Sequence, residues 1–462
     1  MKKIKKYYRI EFQLTSPLSV GSGENYITDK DIIKDSRGIP YIPGTSLAGI
    51  YRSLFSKKMA ETYFGPELTQ ERIQESAEQG KNVLENSAVV TYDASLLDTK
   101  EALITKRDMA ALDEYKTAVP GAKFDFQILE PGAVFVTYIE QNMEREEESW
   151  VIDEIADAWM QGMIRTGAKT GRGYGRTQGK KAVSAQFNLE DSEELKRWLD
   201  FDMYNPEDKN WKQEKKDESA APVMQSENIR KMAEKEICAI HLELHQKGGI
   251  SIRQYSTEVG EADYRQLTAR NLSDEKIENS AEGTPVIPGT SWAGAFRAQM
   301  GKLSADFGKY QPLAEKFFGK AKNKEADSRK SRISFSESRI KGGKWVVYTR
   351  NAIDRFTGGT VDGALYTEKT YYNGSTDLEI LCDFSSGDIS DKDRKKFAQV
   401  MAAAILDLNS GYMSVGGLTA VGRGIFEVKK IAVDGKEYVP DREKPEGIYS
   451  ELAGAIAGKE KK

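Results

Sequence analysis

The chain is poor in the residues on which many enzymes are built. Its 462 residues hold two cysteines, Cys238 and Cys382, far apart and without CxxC spacing. That excludes a disulfide framework and a cysteine-rich zinc site, and it fits a reducing cytoplasm. Only two histidines occur, His241 and His245. They alternate with apolar residues in ICAIHLELHQ, which reads as one face of a half-exposed strand, and the rest of the chain offers no His partner for acid–base cleavage. No stretch approaches a membrane-spanning apolar run, so neither a transmembrane helix nor a membrane partner is expected. The start, MKKIKKYYRIEFQL, is basic and then alternates, which reads as a first strand without the apolar region of a secretory signal. Positive charge is not in excess either: 68 Lys and Arg stand against 72 Asp and Glu, a net charge of −4. Any nucleic-acid surface must therefore be a local patch.

What the chain does contain is itself, twice. Tyr41–Phe55 reads YIPGTSLAGIYRSLF and Val286–Met300 reads VIPGTSWAGAFRAQM, 245 residues on. Tyr63–Gly65 (YFG) is answered by Phe317–Gly319 (FFG), and Gly171-Arg172-Gly173 by Gly422-Arg423-Gly424. A period this long means duplicated domains. Strands are expected near 7–14 and 238–245, and later helices near 152–165 and 393–408. Each half then follows a βαββαβ, ferredoxin-like order, so the fold class is α+β with two tandem modules and inserted segments. The expected division is 1–200 for the first module, 201–236 for a charged linker, 237–440 for the second module and 441–462 for a tail.

Several residues are candidates for chemistry. Arg165–Lys181, RTGAKTGRGYGRTQGKK, carries Arg165, Lys169, Arg172 and Arg176 and no acid. Its glycines admit phosphates to the backbone and its cations neutralise them, while Tyr174 offers a ring to stack on a base. A flexible surface hairpin is the plainer reading of the same run. No GK[ST] closes it, so it is not a Walker loop. The second copy keeps the glycines but only Arg423 as a cation. Each PGTS helix is expected to begin with an N-cap hydroxyl, with Ser46 and Ser291 in the first turn and Arg52 and Arg297 one to two turns on, placed to reach a phosphate at the helix start or to pair with a carboxylate. GTSLAG and GTSWAG lack the second glycine of a nucleophile elbow, so serine hydrolase chemistry is not expected. An acidic loop precedes each helix; at the 245-residue offset Asp29 falls on Asp274, the aspartate the two loops share.

SPLSVGSGE, the acidic loop, PYIPGTSLAG and TGRGYGR together resemble the RAMP superfamily of CRISPR-associated proteins, and within it the backbone subunits of type III effector complexes. The second half resembles it through PVIPGTSWAGAFR, TRNAIDRFTGGTVDGALYTEKTY and VGRGIF. Two such modules in one chain are similar to the fused subunits of type III-D-like systems. The resemblance implies that each module holds guide CRISPR RNA, that a thumb hairpin displaces a guide–target base pair, and that other CRISPR effector subunits are partners. Arg350–Phe356, with Arg350 and Arg355, and Ala110–Lys123 are the thumb candidates. In active members an aspartate before the PGTS-like helix is needed to cleave target RNA with a divalent metal, Mg²⁺ or another; Asp29 matches that position, and Asp274 matches it in a longer loop. The alternatives are a guide-binding scaffold without cleavage, and a guide-processing ribonuclease, against which the scarcity of histidine argues.

Overall fold

The alternation in YYRIEFQL becomes an eleven-residue strand, β1 (Ile4–Leu14), at the centre of the first module. The computed structural model describes residues 3–23, 28–66, 69, 74, 87–98, 103–112, 118–216, 236–255, 262–270, 283–308, 312–320, 329–385, 388–440 and 446–458. After β1 come α1 (Gly44–Leu54), β2 (Val89–Thr91), a hairpin of β3 (Ile104–Leu112) and β4 (Ala118–Leu129), β5 (Val134–Met143), α2 (Trp150–Met160) and β6 (Thr177–Asn188). The main sheet runs β2-β5-β1-β6, all antiparallel. This is the ferredoxin-like order, with the β3–β4 hairpin inserted between the second and third strands.

The second module repeats it: β7 (Ile237–Lys247), α3 (Gly289–Leu303), β8 (Ile333–Phe335), a hairpin of β9 (Lys344–Arg350) and β10 (Tyr366–Tyr372), β11 (Ser375–Asp383), α4 (Asp391–Ser410) and β12 (Ile425–Val433). Its sheet runs β8-β11-β7-β12. Even the irregularity is copied, since the pairing slips between Glu11 and Phe12 against β6 and between Glu243 and Leu244 against β12. A bulge at the same place in both sheets, with Lys180 and Lys429 the extra residues, bends β6 and β12 shortly after the glycine-rich turn.

Inward-facing Ile10, Phe12 and Leu14 of β1 meet α1 and α2. Phe12 stacks on Trp159 at 4.0 Å, and the Trp159 indole donates to the Tyr51 hydroxyl at 3.0 Å. In the second module Trp292 is fully buried and donates to the Ser338 hydroxyl. His241 and Glu243 lie on the open, outward face of β7, as the alternation implied.

Two boundaries differ from those expected. Composition made 201–236 a linker, but Phe201, Met203 and Trp211 pack over Tyr7, Ala185 and Phe187, and Lys212–Lys216 pairs with β6 as an edge strand. The first module therefore runs to Lys216: three large apolar anchors outweigh the charged residues around them. Likewise 446–457 is a helix, Glu446–Ala457, with Leu452 and Ile456 in the second core rather than a loose tail. Trp211→Ala should lower unfolding free energy by about 2 kcal/mol in urea titration; an unchanged midpoint would return this segment to linker status.

Candidate nucleic-acid interface

Asp29 stands exposed on the loop before α1, and that loop is fastened along β4. The Asp29 amide donates to the Asp125 carboxylate at 2.9 Å, and the Asp125 amide donates back to Asp29 Oδ2 at 2.9 Å. The Gln127 amide donates to the Lys30 carbonyl at 3.0 Å. Behind it, Asp31 is buried and accepts from the Thr28 amide and hydroxyl. So Asp31 shapes the loop, while Asp29 keeps a second carboxylate oxygen outward. Lys106 forms an ion pair with Asp125 and holds that carboxyl below its usual range. Among the described residues no three carboxylate, histidine or cysteine groups are placed to hold a metal. Asp274 lies outside the described residues.

The glycine-rich turns of the two halves can be superposed by their own bonds. Lys169 and Leu418 both take left-handed backbone, at φ 60 and 54. A single 3-10 turn follows each, Thr170–Arg172 and Thr419–Val421, ending at Gly173 and Gly422. Thr166 donates to the Gly175 carbonyl, and Val415 to that of Gly424. The correspondence is thus 249 residues, and Gly171-Arg172-Gly173 does not answer Gly422-Arg423-Gly424: Tyr174 answers Arg423, and Arg172 answers Val421.

That register corrects two expected RNA contacts. Tyr174 is buried against Phe126 beneath the hairpin, with its hydroxyl pushed up to about 12 by burial, so no base reaches its ring. Arg423 is equally buried, bonded to Glu368 at 3.3 Å and lying over Tyr348 and Tyr372. It braces the β9–β10 hairpin, with Arg350 at 3.9 Å from the same carboxylate.

The first turn's cations also serve the module contact. Arg165 donates to the Ser334 hydroxyl at 2.9 Å, and burial lowers its pKa to about 10. Arg176 pairs with Glu379. At the hairpin base Arg107 bonds Glu337 of the second module at 3.0 Å, with Glu130 at 3.8 Å. Arg107 and Glu130 are buried and the Glu337 side chain is largely covered, and nothing in the sequence joins partners 230 positions apart. Lys169 is different. Its Nζ lies over the Phe126 ring with no hydrogen-bond partner, and burial, aided by Lys30 and Arg172, brings its pKa down to about 7.

The PGTS helices are not capped by hydroxyls. Pro43 and Pro288 are the caps; their carbonyls accept the Ser46 and Ser291 amides at 2.9 Å. The Gly44 amide goes to Asp93 at 2.6 Å, so a carboxylate of the chain takes the place expected for a phosphate. Arg52 donates to the Gly65 carbonyl, and Arg297 lies over Phe318, so each clamps the short element after its helix. Arg355 remains exposed on the loop from 351 to 365, beside Phe356 at 99% exposure and with Ile353 and Leu365.

Two ferredoxin-like modules with matching glycine turns find their counterpart in one family: the pattern described as the RAMP superfamily matches residues 11–178 and 244–427, most of the chain. The chain belongs to the RAMP superfamily. Among solved structures, this RAMP chain is similar to a chain of a type III-B Cmr-beta complex bound to cognate target RNA, solved by cryo-EM, at 22% identity and a TM-score of 0.31, covering 39% of this chain and 60% of that one. The RAMP chain thus spans less than two thirds of that neighbour's length. No curated protein matches it. No helix among the described residues is long and apolar enough to cross a membrane.

Arg107→Met should cost about 3–5 kcal/mol in denaturant unfolding, because it strands two buried carboxylates; adding Glu337→Gln and Glu130→Gln should recover most of that. Lys169 sets a pH dependence. The unfolded lysine keeps its proton up to 10.5 and the folded one releases it near 7, so stability should rise with pH across that window. Lys169→Met should flatten the rise in thermal midpoint.

Proposed function

We propose that this chain is a backbone subunit of a type III CRISPR effector complex, binding guide CRISPR RNA and cleaving complementary target RNA at Asp29. The observation that carries the reading is the Asp29 carboxylate, exposed and locked to the hairpin by two reciprocal bonds with Asp125, in the loop that leads to α1 of a RAMP module. A catalytic carboxylate needs a fixed position and an open oxygen, and Asp29 has both. Lys30 follows it and Lys106 stands beside Asp125, so two cations meet an incoming phosphate. The exposed apolar and basic loop around Arg355 and Phe356 is suited to prise a base pair apart; residues 113–117 of the other thumb candidate lie outside the described residues.

In this reading a 2′-hydroxyl attacks the adjacent phosphorus, a P–O bond forms, and the P–O5′ bond breaks. The products are a 2′,3′-cyclic phosphate and a 5′-hydroxyl that takes up a proton. Asp29 orients the attacking hydroxyl and accepts its proton. A divalent cation, Mg²⁺ or another, held by Asp29 and RNA phosphates, supplies charge neutralisation when bound. Other effector subunits complete the RNA groove, and Asp274 is the proposed counterpart in the second module. Arg172 and Arg355, both exposed, are the proposed RNA-facing cations.

A guide-binding scaffold without cleavage is favoured by one observation, that no multi-carboxylate metal cage exists among the described residues. Target-RNA cleavage by the assembled complex decides between them. Asp29→Ala should remove one product band, a loss of at least about a hundredfold in rate, with guide binding intact. Asp274→Ala should remove a second, distinct band. Unchanged bands in the double variant would make the chain a scaffold.

A further inference from the structure

The β3–β4 hairpin is fastened on two sides, and the fastenings lead to different places. Cross-strand pairing sets Arg107 opposite Phe126 and Asp108 opposite Asp125. Arg107, Phe124 and Phe126 therefore share one face, and Lys106, Asp125 and Gln127 the other. On the first face Phe126 packs on Tyr174 of the glycine turn. There the Arg107 guanidinium bonds both carboxylate oxygens of Glu337, in the second module, at 3.0 and 3.5 Å. Along the edge of β4 runs the loop that carries Asp29. Besides the two bonds between Asp29 and Asp125, the Gln127 amide donates to the Lys30 carbonyl, and the Gln127 side chain accepts from the Ile32 amide at 3.2 Å. Lys106, the residue before Arg107, forms an ion pair with Asp125. One ladder of two strands thus grips the second module with Arg107 and the Asp29 loop with Asp125 and Gln127.

Packing alone does not account for Arg107. It is 3% exposed, and a guanidinium taken out of water costs free energy unless carboxylates offset it. A methionine would fill similar space without that cost. What the guanidinium adds is direction: a forked pair of bonds fixes the plane of the group, which apolar contact does not. Its two carboxylates are also unequal. Glu337 takes both bonds, while Glu130 of its own module stands 3.8 Å away with an Oε2 that makes no hydrogen bond among the described residues. Arg107 has one carboxylate in each module within reach, and it is bonded to the one in the second.

We propose that Arg107 and Glu337 are positioning residues for cleavage at Asp29: through this pair and the hairpin, the second module sets where the Asp29 carboxylate stands. The proposal rests on the reading of Asp29 as the cleaving carboxylate. It gives the second module a part in the first module's reaction, separate from any chemistry at Asp274. Arg107 is buried, so it acts through Asp125 and not on RNA.

Two measurements test it, and one does not involve cleavage. Hydrogen exchange of the full chain reads the fastening itself, since the Asp29 and Gln127 amides are bonded across it. Glu337→Ala should quicken exchange of both by about tenfold, while the amides of β1 and α1 keep their protection. The second measurement is single-turnover cleavage by the assembled complex at saturating target RNA. Glu337→Ala should slow the band that Asp29→Ala removes by about a hundredfold, the cost of a misplacement of about 1 Å. The half-saturating target concentration and every other band should not change. Glu337→Gln keeps an acceptor oxygen and should fall between. The triple variant Arg107→Met, Glu130→Gln and Glu337→Gln removes the buried charges together. Its thermal midpoint should approach that of wild type, while its Asp29 band stays as slow as in Glu337→Ala. A triple variant restored to the wild-type rate overturns the proposal, because the pair then serves stability alone. Unchanged exchange in Glu337→Ala overturns it whatever the cleavage, as does an Asp29 band at the wild-type rate in that variant. If Asp29→Ala itself removes no band, the cleavage reading fails, and the pair loses the reaction it was to position.

Discussion

At Gly173 and Gly289 two stretches of backbone approach so closely that a single added carbon would lie within 2.6 Å of a carbonyl oxygen. That approach sets the spacing of the modules, and much else follows from it. The turn holds its shape because Gly173 and Gly175 take positive φ and the latter packs on the Thr166 carbonyl. With the turn seated, Arg165, Arg176 and Arg107 fall opposite Ser334, Glu379 and Glu337. The hairpin base is then fixed, and with it the strand that carries Asp125 and holds Asp29.

The same constraint explains how a chain with net charge −4 carries an arginine-rich loop. Its cations are partly consumed at home. Two guanidiniums answer the second module, and one lysine is pressed over a phenylalanine ring and gives up its proton more readily than usual. The charges left for a polyanion sit on loop edges, beside Asp29 and at the tip near Arg355.

The architecture was legible in the sequence because duplication writes itself twice: PGTS and PGTS, YFG and FFG, two alternating first strands. The aspartate shared by unlike loops singled out Asp29, while its reciprocal bonds with Asp125 come from tertiary structure the sequence does not show. Other features were hidden for physical reasons. A glycine–arginine–glycine pair invited alignment by letters, but backbone handedness at Lys169 and Leu418 fixes the register, two residues away. Charge content marked 201–216 as linker, while Phe201 and Trp211, spaced ten apart, decide its fate by burial. The Gly44 amide finds Asp93 through tertiary structure, which no local capping pattern announces. Arg107 and Glu337 became neighbours only once two modules were stacked.

The divergence between the two turns has a consequence for which of them the contact between the modules accepts. The seat beside α3 presents Ser334 and Glu379, which receive Arg165 and Arg176 of the basic turn. Were the second module's apolar turn to take that place, Glu379 would lose its cation. The two copies have thus diverged where one receives the other, and their covalent link makes that contact intramolecular, so dilution does not weaken it.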